Sequence, residues 1–256
     1  MLKLKKSLGQ NLLIDKNIIN KILRLTNITN KNVLEIGPGT GNLTKHLLEK
    51  KPKELLLIEK DKRLCKILNL KFNTFKNYKI YNEDILEFHL NSNFRSEIVF
   101  GNLPYNISTQ ILSKLIKFEK LYPQIEMVIF MFQKEVADRI LAKPNNSSYS
   151  RITILANLKL DIIHEFKVSK DCFFPSPKID SKIIAFKPKT KVKYNIKDIE
   201  NLEKITQIFF SGKRKKINKP FSKIFKNYKE VAKILNINLN KRPSELSCEN
   251  FYEITE

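Results

Sequence analysis

The chain has 256 residues, 42% of them hydrophobic, and a formal net charge of +22 from 48 Lys and Arg against 26 Asp and Glu. Such a chain can bury the core of one large domain, alone or with a small appendage, and its basic excess points to a polyanion, most simply a nucleic acid. No window approaches 18 uncharged apolar residues, the lysine-rich opening lacks the apolar stretch of a secretory leader, and Cys65, Cys172 and Cys248 are scattered, so the sequence predicts no membrane span, no leader and a reduced, cytoplasmic protein.

The pattern predicts a strand over Asn32 to Ile36, a glycine loop, and a helix to about Glu49. A second buried strand follows from Glu54 to Ile58, then a helix over residues 61–70. Short strands are expected at 78–81 and 98–100, a helix at 107–116 with Ile111, Leu112, Leu115 and Ile116 on one face, and a strand and helix at 127–132 and 134–141. A helix at 151–158 and strands at 162–167 and 179–186 complete this part. The alternation argues for an α/β fold with a parallel sheet. From Lys197 onward only helices are expected, which places a domain boundary near 190 and divides the chain into 1–190 and 191–256. Between Lys187 and Arg242 there are 17 Lys and Arg against 4 Asp and Glu, so more than half of the net charge lies in this small region.

Three of the six glycines fall within Gly37 to Gly41, between a strand and a helix. Bunched glycines let the backbone approach a ligand closely. Glu59 ends the next strand, at a distance suited to the two hydroxyls of a ribose. Asp84, followed by Ile85, ends the third, where a carboxylate can accept from an adenine amine. Singly these acids would be helix caps; together, beside a glycine loop, they suggest an adenosine pocket. The spacing is Gly-x-Gly-x-Gly, with Asn42 where a dinucleotide fingerprint has its third glycine. S-adenosylmethionine, which has no pyrophosphate to cradle, fits this loop better than NAD.

Asn102-Leu103-Pro104-Tyr105 directly follows the apolar run Ile98-Val99-Phe100. The Asn102 side-chain oxygen and the Leu103 carbonyl can both accept from a flat amine, the Tyr105 ring can lie against the base that carries it, and Pro104 stiffens the turn. This suits methyl transfer to an exocyclic amine of a nucleobase. His46, His89 and His164 are dispersed, and no zinc site or Ser-His-Asp arrangement is expected.

With these residues assembled, the chain resembles the ribosomal RNA adenine dimethyltransferases, most closely their small-subunit branch, over nearly its whole length. Ser7-Leu8-Gly9-Gln10-Asn11-Leu12-Leu13 is similar to the family's N-terminal donor-binding motif, with Leu12 where Phe is usual. Residues 35–41, Glu59, Asp84 and 102–105 follow in the family's order, and Gln133-Lys134-Glu135-Val136-Ala137 is also similar. Phe173-Phe174-Pro175-Ser176-Pro177-Lys178 resembles its late motif, in which the aromatic two before the first proline lies over the target base; that match selects Phe173. The segment 210–221, with Lys213-Arg214-Lys215-Lys216, resembles the basic helical segment that contacts rRNA, although Lys213 stands where Arg is expected. Arg242-Pro243-Ser244-Glu245-Leu246 is similar to a signature of the small-subunit branch.

The resemblance implies a Rossmann-like class I methyltransferase fold with a small C-terminal all-helical domain. Gln10, Asn11, Leu13, Gly37, Gly39, Glu59, Asp84, Ile85 and Asn102 would hold S-adenosylmethionine, without a metal. Asn102, Leu103, Pro104, Tyr105 and Phe173 would handle the base, and Lys213 to Lys216 the RNA. It implies successive methylation of two neighbouring adenines in a 3′-terminal hairpin loop of 16S rRNA, within an immature small subunit, by a monomer. Three other readings stay open here: a 23S rRNA methyltransferase of the same fold, an assembly factor whose binding is its main output, and a nicotinamide dehydrogenase.

Overall fold

The computed structural model describes residues 11–90, 95–119 and 121–256. The strands are β1 (Leu12–Leu13), β2 (Asn32–Ile36), β3 (Glu54–Ile58), β4 (Tyr78–Tyr81), β5 (Ile98–Asn102), β6 (Met127–Gln133), β7 (Leu160–Val168), β8 (Phe173–Phe174) and β9 (Ser181–Pro188). Seven of them form one sheet in the order β4-β3-β2-β5-β6-β9-β7, and β1 pairs separately with β8. The pairings among β4, β3, β2, β5 and β6 are parallel. The expected all-parallel sheet is corrected at β9, which runs antiparallel to β6, with Met131 opposite Ile183. Short apolar runs such as those of β5 and β9 fit either direction, so the pattern could not decide it.

Helices Asn42–Glu49, Lys62–Phe72 and Ser108–Lys117 lie in the connections after β2, β3 and β5. Each buries a stripe of aliphatic side chains, such as Ile111, Leu112, Leu115 and Ile116. Asp61 caps the second of them by accepting from the Arg63 backbone N–H. The core is built from the sheet's own side chains, among them Val33, Leu55, Leu57, Ile98, Phe100 and Met131. Successive connections leave β2 toward β3 and β4 on one side, and toward β5 and β6 on the other. The strand order therefore reverses between β2 and β5, where open α/β sheets form a crevice at their carboxyl ends.

The chain forms two compact units, 1–137 with 161–188, and 138–160 with 189–256. The last of the three breaks falls after Pro188, close to the expected boundary at 190. The segment 138–160 was expected with the sheet; it groups instead with the C-terminal residues. Its helix Arg151–Lys159 is buried at Thr153, Ile154, Leu155, Ala156 and Leu158, on most of its sides, so that no single stripe reveals its placement. This second unit has an aromatic core. Phe209 packs edge-on to Phe221 and Phe251 at centroid distances of 6.0 and 5.4 Å, and Phe210 stacks on Phe251. The buried Tyr252 hydroxyl donates to the Ile154 carbonyl at 2.7 Å. No helix of the described residues is long and apolar enough to cross a membrane.

Candidate active site

Register places the two sequence motifs side by side. Ile36 pairs with Gly101 across β2 and β5, so Gly37 and Asn102 leave adjacent strand ends together. A Cβ on Gly37 would lie 3.7 Å from the Asn102 carbonyl oxygen. Gly37, Gly39 and Gly41 all have positive φ, 69°, 61° and 79°, a region that side chains with a Cβ rarely occupy. At Gly41 a Cβ would also come within 2.5 Å of the Phe72 ring. The loop can therefore turn from strand into helix only with glycine at this position.

A cavity of about 300 Å³ opens at these strand ends. Asn11, Leu13, Gly37, Gly39, Glu59, Asp84, Ile85, Asn102 and Pro104 all face it, as do Ile107, Met131 and Ile183. Leu103 and Tyr105 do not. The Leu103 side chain is buried beside Gly101, and the half-buried Tyr105 ring is fixed through its hydroxyl, 2.8 Å from the Ser181 Oγ. Burial pushes the Tyr105 phenol above its usual range, with the Ser181 contact acting the other way. It stays neutral, with its ring held in place. Gln10, Ser7, Leu8 and Gly9 of the N-terminal motif lie outside the described residues.

The acids are held in different ways. Glu59, 7% exposed, accepts from the Gly39 N–H at 3.1 Å and the Asp61 N–H at 2.8 Å. Burial raises its pKa against those two bonds. Glu35, 2% exposed, accepts from the Thr44 hydroxyl at 2.6 Å; burial, with a smaller push from Glu59, carries it up to about 8, so it stays protonated at neutral pH. Asp84 has the opposite balance. Burial alone would raise it, but the Lys60 ammonium at 2.6 Å and the Leu86 N–H at 2.9 Å together hold it below its ordinary value. Lys60 is exposed and occupies one Asp84 oxygen, so an adenine amine would have to share or displace it.

Three side-chain contacts organise the cavity's N-terminal wall. Asn102 Nδ2 donates to the Asn11 carbonyl at 2.9 Å, which fixes the amide with its oxygen as the remaining acceptor. Asn42 Nδ2 donates to the Leu13 carbonyl at 2.8 Å. Leu12 lies so close to the loop that a Cβ on Gly39 would meet its Cδ2 at 2.7 Å. Asn42 is a working residue that the sequence reading noticed only as a missing glycine. Ser181, three residues beyond Lys178 of the late motif, was missed too.

Phe173 is placed differently from the expectation. It is 3% exposed, in the core with Leu13, and offers no open face for a base; Phe174 is 65% exposed. The quartet Lys213 to Lys216 stands in a turn between helices Ile199–Phe210 and Asn218–Ile224, not in a helix. Lys213 Nζ donates to the Ser147 carbonyl at 2.5 Å and Lys216 Nζ to the Asn240 side chain at 3.0 Å, while Arg214 and Lys215 are exposed. Among the described residues, no three His, Cys, Asp or Glu are grouped to hold a metal.

The residues present suit a nucleoside-bearing methyl donor. A backbone cradle without Cβ atoms at its edge faces a buried carboxylate at the next strand end and an aliphatic floor. Comparison with known proteins agrees. The ribosomal RNA adenine dimethylase profile matches residues 1–256. The ribosomal RNA small subunit methyltransferase A of Pelagibacter ubique (strain HTCC1062) is 48% identical over 255 residues, 99% of this chain and 96% of that one. A dimethyladenosine transferase from Plasmodium falciparum superposes with a TM-score of 0.77 at 27% identity, over 95% of both chains. The 23S rRNA methyltransferase ErmE has a TM-score of 0.70 at 22% identity, over 96% of this chain and 98% of that one, which speaks for the fold.

Proposed function

Because the chain belongs to the ribosomal RNA adenine dimethylase family, we propose that it dimethylates the exocyclic amines of adenines in 16S rRNA, with S-adenosylmethionine as the donor. The substrate is two adjacent adenines of the 3′-terminal hairpin loop, presented by an immature small subunit, and the enzyme works as a cytoplasmic monomer. The observation that carries this reading is the adjacency of Gly37 and Asn102 at the mouth of one cavity.

The bound donor supplies an electrophilic methyl group on a sulfonium. Gly37, Gly39 and Glu59 would hold it, with the Glu59 carboxylate available to the ribose and Asp84 and Ile85, just beyond β4, to the adenine. Asn11 and Leu13, held by Asn102 and Asn42, would form the wall beside it. The target amine is a poor nucleophile because its lone pair is delocalised into the ring. The Asn102 oxygen and the Leu103 carbonyl accept its two hydrogens and favour the pyramidal nitrogen, whose lone pair is free to attack. Tyr105, anchored on Ser181, keeps the base from tilting. Positioning and fixed dipoles supply most of the acceleration. No residue need act as a strong base, because the proton leaves after the nitrogen has become cationic. After the first methylation one hydrogen remains, and one of the two acceptors gives up its bond.

The test is methyl incorporation from labelled donor into small subunits lacking the modification, with the product nucleotides mapped. Dimethyladenine at two neighbouring positions near the 3′ end of 16S rRNA is expected. Label found only in 23S rRNA would replace this reading with the related large-subunit activity.

A further inference from the structure

The ribbon made by β1 and β8 has two unlike faces. Leu12 pairs with Phe174 and Leu13 with Phe173, and the Ile14 N–H continues the ladder by donating to the Cys172 carbonyl at 2.9 Å. Side chains alternate along a strand, and partners across a pair share a face. One face, Leu13 and Phe173, is sunk in the core. The other carries Leu12 and Phe174, with Ile14 next along the chain; Ile14 is 49% and Phe174 65% exposed. Leu12 lines the cavity; Ile14 and Phe174 do not. The apolar face therefore begins at the cavity wall and runs outward onto its rim. Exposed apolar side chains grouped beside a working site mark a contact surface.

The geometry points to the Ile14–Phe174 face as a stacking platform for the nucleobase next to the one held in the cavity. This rests on the RNA methylation proposed above. A target base must leave its stack, and its neighbour then loses a stacking partner; an exposed phenyl ring at the rim replaces it. An RNA base is the occupant because the face is continuous with a cavity that receives one, and because a chain of charge +22 draws a polyanion to its surface. Phe173 cannot take this part, since its ring is already enclosed on the opposite face.

The test uses the full chain and unmodified small subunits, with Phe174→Ala, Phe174→Leu and Phe174→Trp. Phe174→Ala should raise the KM for subunits about tenfold, the range of one lost base-aromatic stack, with kcat, donor Kd and melting temperature close to wild type. Phe174→Trp should restore the KM and Phe174→Leu should not, because a base needs a flat π surface. A KM within twofold of wild type for Phe174→Ala overturns the platform. So does a leucine variant equal to the tryptophan one, which would assign the patch to a protein contact, or a loss shared with donor binding and melting, which would make Phe174 structural. A wild-type protein that incorporates no methyl group would instead refute the underlying activity.

Discussion

Glu35, Glu59 and Asp61 in the sheet-bearing unit are each less than a tenth exposed, and each is held by one or more defined hydrogen bonds. In the helical unit the functional candidates are Lys213 to Lys216, which stand in a turn with three of the four exposed. A buried polar group has one geometry and a large desolvation cost, so changing it alters chemistry or folding as a whole. A surface cation has many geometries and acts through its charge, so its contribution is graded and depends on salt. The two units thus present groups of different kinds, one fixed stereochemically and the other acting through charge.

The sharpest way to break this contrast is Asn102→Ala. It removes the amine acceptor and the bond to Asn11, and should lower methyl transfer by about 100-fold or more while leaving affinity for the subunit near wild type. Single-turnover incorporation with saturating donor measures it; near-normal turnover would show that the corner is not stereochemically demanding. Next is the combined replacement of Lys213, Arg214, Lys215 and Lys216 by alanine. RNA affinity should fall, and the slope of log affinity against log salt should flatten by up to about 3 units. Donor affinity should not change. Filter binding across a salt series decides it, and an unchanged slope would remove the quartet from the RNA interface.

The remaining prediction bears on stability rather than on turnover or RNA affinity, and concerns Glu35. Its folded-state carboxyl is raised to about 8 from an ordinary 4.5. Below the lower value both states are protonated. Between the two the unfolded chain releases a proton that the folded chain keeps, so stability falls as pH rises, by up to about 1.4 kcal/mol per pH unit. Glu35→Gln keeps an oxygen for the Thr44 hydroxyl and does not titrate. The variant should therefore gain on wild type from pH 5 to pH 8 and stay level above that, as read by thermal unfolding across pH. A constant difference would place the Glu35 carboxylate in a more polar setting than its burial implies.

The same contrast explains what could be read in advance. That Gly37, Gly39, Glu59, Asp84 and Asn102 face one cavity could be read in advance because each lies at or just beyond a strand end, where position in the sequence fixes position in space. The division after Pro188 lies where charge and periodicity change along the sequence. The excursion of 138–160 was not, since a helix buried along most of its length carries no amphipathic stripe to show which core it joins. The roles of Asn42 and Ser181 were hidden for another reason. Each acts through a bond to a residue remote in sequence, Leu13 or Tyr105, and a polar residue in a loop or at a strand end does not announce its partner. The choice between Phe173 and Phe174 turned on which way a two-residue strand faces, and one register step reverses that.

The two-rung pairing of β1 with β8 also has a bearing on biosynthesis. The wall that Asn11 to Leu13 contribute to the cavity is made well before its β partner, which follows about 160 residues later in the chain. Vectorial synthesis can assemble the β2 to β5 crevice early, as a nascent shell with one side missing. That side can be fixed only once the segment carrying β8 has emerged and paired with β1, so the cavity waits on a strand made long after its own first wall.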